Sequence, residues 1–306
     1  MIEVEHLTKK YGDLVAVNDL GFKVEKGRIW GLLGPNAAGK TTTMRILTGF
    51  LPATDGRATV SGFDVFEKPD EVKRITGYLP EIVPVYPEMT VTEYLGFVAA
   101  IKQVPSAKRA AALDRAVKVS GLTEVRRRLI KNISRGYKQR VGIAQALIHN
   151  PDVLILDEPT IGLDPAQIKE IRELIKSLRG EHTILLSTHI LAEVTQTCDG
   201  VVIINDGRLM ASGSLEELTA SFRKKDGVVL KVRRSGEEVV ASLQKLAGVD
   251  GVSRENGEIK VEWSPGRDLR EAVARLAVTQ DWGLLEMRPL AMNIEDLYLR
   301  IVGGEQ

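Results

Sequence analysis

The run Gly34-Pro35-Asn36-Ala37-Ala38-Gly39-Lys40-Thr41-Thr42 follows a short apolar segment, Ile29-Trp30-Gly31-Leu32-Leu33, and leads into a helix-forming stretch that begins near Lys40. Glycines let backbone N–H groups turn inward around an anion, and a helix start adds the positive end of its dipole to that nest. From there Lys40 reaches the β- and γ-phosphates of a nucleoside triphosphate as a point charge, while the Thr41 hydroxyl can ligate Mg²⁺. Strand, Gly-rich turn and helix in this order form the context that a phosphate-binding loop demands and that a chance Gly-rich turn lacks.

A second constellation closes another apolar run, where Val153 to Leu156 leads into Asp157-Glu158. A carboxylate at the end of a buried strand is costly unless a cation or hydrogen bonds compensate it. Mg²⁺ supplies that compensation, so Asp157 is expected to hold the metal through water. Glu158, pointing differently, is the candidate to polarise the attacking water. ATP and Mg²⁺ are therefore the expected ligands.

Size and charge narrow the class. A chain of 306 residues can bury a substantial core and suggests about two domains. Its 42 basic and 41 acidic residues leave a net charge of +1, which gives no electrostatic case for nucleic acid as the main partner. Cys198 is the single cysteine, so neither an intrachain disulfide nor a cysteine zinc cluster can form, as suits a reducing cytosol. The amino terminus lacks the basic segment and apolar core of a secretion signal, and no stretch approaches the roughly 18 apolar residues needed to cross a bilayer. Any membrane task is expected to pass through another subunit.

Along the chain, short strands with turns, including Phe22 to Val24 and Ala58 to Val60, surround the phosphate loop up to about Gly62. From about 84 to 149 the pattern is helical. Thr90-Val91-Thr92-Glu93 reads as a capping box, Ser106 as the cap of the next helix and Gly121 as its close. Strands return at Val153 to Leu156, Thr183 to Ser187 and Val201 to Asn205, alternating with helices near Pro165 to Leu178 and Leu191 to Thr197, which implies a mostly parallel, covered sheet. The fold class expected is α/β, with residues 1–218 as the nucleotide-binding domain carrying a helical insertion. Residues 219–306 read as a small α+β domain in the order strand, helix, strand, strand, helix, strand, a ferredoxin-like split motif, followed by a capped helix at Asn293 to Ile301.

Between the two acid-and-phosphate motifs lies Ile133-Ser134-Arg135-Gly136-Tyr137-Lys138-Gln139-Arg140-Val141, separated from Asp157-Glu158 by the segment Val141 to His149. Locally Ser134 is a helix N-cap and Gly136 permits close approach of an anion. With its neighbours the segment resembles the signature sequence of ABC transporter ATP-binding subunits, a resemblance covering about Ile2 to Leu218. It implies a P-loop NTPase of ABC type in which one subunit's signature covers the γ-phosphate held by another, so Ser134 and Gly136 would act in trans. Gly162-Leu163-Asp164 looks like the D-loop crossing the same boundary, with Asp164 in trans. His189 looks like the switch histidine that contacts the γ-phosphate, and Tyr11 resembles the aromatic that stacks on adenine. His6, His149 and His182 sit in no motif and are expected at the surface or at helix ends.

The chain departs from the family pattern at Ala37, where glycine is common, at Arg135 and Tyr137 in the signature, and at Glu81, which follows Gly77-Tyr78-Leu79-Pro80 at the Q-loop position. Glu81 could accept a metal-bound water, yet it adds negative charge near phosphate, and both readings stand. The whole set looks most like the exporter branch whose ATPase subunits pair with separate, multi-spanning permeases and include those named for gliding motility, sodium extrusion and drug resistance. The resemblance implies ATP-driven closure of a homodimer or heterodimer on the cytoplasmic face of the cell membrane, with permease docking near Glu81 to Tyr86 and Tyr94. The alternative is a soluble ABC ATPase that remodels DNA or ribosomes. Against it stand a single P-loop, no long coiled-coil heptads and no basic surplus.

Overall fold

In chain order the first elements of the computed structural model are β1 (Ile2–Tyr11), β2 (Leu14–Val24), β3 (Ile29–Leu33), α1 (Lys40–Leu47), β4 (Asp55–Val60), β5 (Phe63–Asp64), α2 (Pro69–Ile75), β6 (Thr76–Leu79), α3 (Val91–Ile101), α4 (Ser106–Val119) and α5 (Arg135–Leu147). There follow β7 (Val153–Leu156), α6 (Pro165–Ser177), β8 (Thr183–Thr188), α7 (Leu191–Thr197), β9 (Gly200–Asn205), β10 (Arg208–Ser214) and α8 (Leu215–Ser221). The structure describes residues 1–221, 226–234, 236–255, 257–290 and 298. Two compact units divide between Leu215 and Glu216.

Six strands of the first unit form one sheet in the order β10-β9-β3-β8-β7-β6, parallel except for β10. Strands β3, β7 and β8 are buried along their whole length. That burial is why they read as unbroken apolar runs rather than alternating ones. Because β3, β8 and β7 are neighbours and point the same way, the residues that follow their carboxyl ends converge on one edge, the usual place for a ligand in a parallel sheet.

The segment around the phosphate loop differs from the sequence expectation of short strands. β1 and β2 span ten and eleven residues and form a separate antiparallel sheet in the order β2-β1-β4-β5. Alternation buries Ile2 and Val4 of β1, and a register shift before Leu7 turns that residue to the same side, against Met44, Ile46 and Leu47 of α1 and Leu32, Ile155 and Leu185 of the parallel sheet in one shared core. Strand β6, Thr76-Gly77-Tyr78-Leu79, carries no strand signal in the sequence because four residues are too few to show a period.

The helical stretch packs around Val91, Tyr94, Leu95, Ile130, Val141 and Ile148. Thr90 and Glu93 form the reciprocal capping box of α3. Ser106, expected as the cap of α4, is instead its first residue, with Pro105 at the cap position and no side-chain cap. Proline holds the φ that a helix start needs, so the hydroxyl is not required there. Gly121 follows the end of α4 with φ 65°, the left-handed conformation of a helix stop.

His182 is buried rather than superficial, its Nδ1 2.7 Å from the Pro151 carbonyl. His149 lies just past α5, half-buried, with Nε2 3.2 Å from the Thr76 carbonyl. Burial, aided by the charges of Lys102 and Arg115, pushes its pKa down to about 4. The unfolded chain therefore binds a proton at about pH 6.5 that the folded chain refuses until about pH 4. This contribution to stability is complete above pH 6.5 and is lost as pH falls toward 4, by at most about 3 kcal/mol. Urea unfolding of the wild type and His149→Gln at pH 7 and 4.5 checks it: the wild type should lose more on acidification.

The second unit contains β11 (Asp226–Val232), α9 (Glu237–Gln244), β12 (Gly251–Glu255), β13 (Glu258–Trp263), α10 (Arg270–Thr279) and β14 (Leu284–Pro289). Its sheet is antiparallel, ordered β12-β13-β11-β14, the arrangement of a ferredoxin-like split motif. Val228, Leu230, Ile259, Val261 and Trp263 pack on Val239, Leu243 and Val273 from the two helices. The helix expected at Asn293 to Ile301 lies outside the described residues.

Candidate nucleotide-binding and catalytic site

The turn after β3 is shaped by what surrounds it. A Cβ on Gly34 would stand 2.3 Å from the Ile204 carbonyl, and Gly39 caps α1 with φ 98°. No side chain caps that helix, so its first N–H groups are left for a ligand. Gly34→Ala should distort the loop and weaken ATP binding at least about tenfold, since a main-chain clash cannot relax without moving β9. Nucleotide titration by fluorescence anisotropy checks it, and unchanged affinity would show that the loop does not form the phosphate site. Lys40 is buried, and its Nζ donates to the Gly34 carbonyl at 2.7 Å and the Pro35 carbonyl at 3.0 Å.

Opposite, both acids at the end of β7 are buried. Asp157 Oδ1 accepts from Thr41 Oγ1 at 3.3 Å and from Ser187 Oγ at 2.6 Å, while buried Oδ2 has no hydrogen-bond partner among the described residues. Glu158 takes a left-handed backbone conformation, φ 47°, and its N–H donates to Ser187 Oγ at 2.8 Å. That backbone turn aims Glu158 differently from Asp157. Its Oε1 lies 3.5 Å from Lys40 Nζ and its Oε2 3.0 Å from His189 Nδ1.

The donor set fits a divalent cation held largely by phosphate and water. Thr41 Oγ1 reaches Oδ1 of Asp157 while Oδ2 of the same carboxylate is left without a partner, and no cluster of three or more His, Cys, Asp or Glu side chains suited to a metal exists among the described residues. Lys40 is the one cation lining a cavity of about 660 Å³ that also holds Tyr11, Asn36, Ala37, Ala38, Gly39, Thr41, Thr42, Glu81, Glu158 and His189. Tyr11 is 45% exposed, with Lys9 Nζ 5.2 Å from its ring centroid. With Leu14 and Ala16 it forms an apolar wall beside the phosphate loop.

Ser134, Gly136 and Asp164 are not brought to this cavity. They line another, of about 370 Å³, where α5 and α6 begin side by side. Ser134 Oγ accepts from Tyr137 N at 3.3 Å and Asp164 Oδ1 from Gln167 N at 2.9 Å. Arg135 has a definite place: its guanidinium donates to the Ile161 carbonyl at 3.1 Å and covers Gly162, where a Cβ would meet it at 2.2 Å. The signature helix is thereby tied to the segment that follows Glu158.

Sequence reasoning missed a buried polar brace behind the site. Ser187 joins Asp157 to the Glu158 main chain. Glu193, only 4% exposed, accepts from Thr160 Oγ1 at 2.5 Å and Thr188 Oγ1 at 2.6 Å, linking the residues that flank Glu158 and His189. The available signal was the hydroxyl pair Ser187-Thr188 ending an apolar strand, with an acid on the buried side of the next helix.

A phosphate loop, a buried Asp-Glu pair and a histidine on adjacent parallel strands, beside a helical subdomain, define an ABC-type P-loop ATPase. Comparison with known proteins agrees. The profile of the ABC transporter family matches residues 17–161. The chain is 35% identical to the bacitracin transport ATP-binding protein BcrA of Bacillus licheniformis over 99% of its own length and 98% of that protein's. It is 31% identical to the linearmycin resistance ATP-binding protein LnrL of Bacillus subtilis (strain 168), with 99% and 98% covered. Among solved structures, the ATP-binding subunit of an ABC transporter superposes with a TM-score of 0.66 at 31% identity, covering 72% of this chain and 93% of that one. The chain belongs to the ABC transporter ATP-binding protein family and is an ATPase. No helix among the described residues is long and apolar enough to cross a membrane.

Proposed function

We propose that this chain powers export through a separate, multi-spanning permease at the cytoplasmic face of the cell membrane, by closing with a second ATPase subunit around two Mg·ATP. The observation that carries this reading is the division of phosphate-directed groups between two cavities of one chain: Lys40, Thr41 with its partner Asp157, Glu158 and His189 at one, Ser134, Gly136 and Asp164 at the other. A second copy turned head to tail would lay its α5 start over the first copy's phosphate loop, completing both sites by one two-fold operation.

In the closed state the P-loop amides and Lys40 hold the phosphates, while Thr41 and Asp157 hold Mg²⁺. The metal neutralises phosphate charge when bound. Glu158 orients the attacking water and draws on its proton, and His189, held by Glu158 Oε2, senses the γ-phosphate. Tyr11 stacks on the base. Glu81 adds a second carboxylate, beside Glu158, to a cavity with one lysine, which favours a bound cation.

Export is supported by relatives named for bacitracin transport and linearmycin resistance. The permease contact proposed is the loop after β6, where Ile82 is 84% and Tyr86 52% exposed. Tyr94, expected at that surface, is instead buried, and its hydroxyl donates to the Pro84 carbonyl at 2.7 Å, bracing the loop from beneath.

Size-exclusion chromatography of Glu158→Gln tests the composite site. ATP should convert that variant from monomer to dimer, and adding Ser134→Asp should prevent the conversion while leaving ATP binding to the monomer unchanged. Aspartate keeps the helix cap but sets a negative charge against the partner's γ-phosphate. A dimer that survives Ser134→Asp, or one indifferent to ATP, would overturn the reading.

A further inference from the structure

Far along β6 from the Glu81 end, the ends of α3 and α5 and one side of α4 enclose a cavity of about 710 Å³ that the ATPase reaction does not use. Its lining includes four cationic side chains, Arg74, Lys102, Lys108 and Arg115, and no carboxylate. The excess is local, since the chain as a whole is balanced at 42 basic and 41 acidic residues. Among the described residues only Arg74 has a carboxylate partner, Glu71 on its own helix.

Two groups here are costly as they stand. Lys102 is half-buried, and its Nζ is held only by the Lys73 carbonyl at 3.0 Å and the Thr76 carbonyl at 3.2 Å, so burial lowers its pKa with nothing opposing. His149 points Nε2 at the same Thr76 carbonyl, and since a carbonyl only accepts, Nε2 carries the proton. Its Nδ1 is buried with no hydrogen-bond partner among the described residues. An anion in the cavity would pair with Lys102 and Arg115 and, by its charge, favour the protonated form of His149 in the same lining, compensating both.

We propose that this cavity is a binding site for a small organic molecule bearing phosphate groups. Lysine suits phosphate as a point charge and arginine as a planar fork. The apolar part of the lining, Val104, Pro105 and Ile148 among it, suits the organic portion, and the volume falls in the range of small-molecule sites.

The test uses full-length protein with isotope-labelled histidine and excess ADP filling the P-loop, titrated with pyrophosphate and read by NMR. Four histidines keep the spectrum simple, and His149 is assigned from His149→Gln. His149 should respond saturably, and its pKa should rise from about 4 as the bound anion outweighs the repulsion from Lys102, Arg115 and His182. Lys102→Met and, on the rim where folding is not at stake, Lys108→Glu should each weaken binding about tenfold with ADP affinity unchanged. A non-saturating response, or one indifferent to both variants, overturns the site. Citrate binding as tightly as pyrophosphate, or a response to anionic lipid vesicles alone, overturns the assignment to a soluble phosphate ligand.

Discussion

Glu158→Gln should bind ATP as tightly as the wild type yet release phosphate about 10²–10³ times more slowly, a loss of roughly 3–4 kcal/mol of transition-state stabilisation. Glutamine keeps the volume and one accepting oxygen of a side chain that is 7% exposed, so packing is preserved. What disappears is the negative charge between Lys40 and His189 that polarises water. Steady-state phosphate release with parallel nucleotide titration separates the two effects. Hydrolysis at the wild-type rate would remove Glu158 from its proposed role and leave His189 to be tested as the base.

Lys40→Ala should weaken ATP binding at least about tenfold and bring turnover close to background. Its ammonium supplies charge-assisted hydrogen bonds of about 1.5–3 kcal/mol each, and the site has no second lysine to replace it. The side chain is buried at the start of α1, where alanine is a good helix residue, so circular dichroism should show the fold intact. A folded variant that still hydrolyses ATP would mean that the phosphates are held chiefly by main-chain N–H groups. The two variants differ in kind: losing Lys40 removes attraction for the ground state, whereas losing Glu158 removes an interaction realised only as the bond breaks.

Motifs governed by local geometry were readable directly. The phosphate loop, the Thr90 capping box and the Ser134 cap each depend on residues within three or four positions, so spacing carries the information. Ser106 misled because a serine near a helix start is as good inside the first turn as at the cap, and Pro105 decided the boundary.

What the linear chain determined alone was the inventory: a Gly-rich loop between strand and helix, an acid pair closing an apolar run, and a histidine after another. Tertiary structure decided which of these meet. Parallel pairing in the order β3-β8-β7 sets Lys40, Glu158 and His189 around one cavity with Asp157 bonded to Thr41 at its wall, while the start of α5 turns Ser134 and Gly136 to a different one. The brace of Ser187, Thr160, Thr188 and Glu193, and the cationic cavity around Lys102 and His149, rest on contacts up to tens of residues apart in sequence. Such contacts have no period and no fixed spacing. They follow from strand order and helix packing, which a buried apolar core selects without reference to the polar groups it brings together.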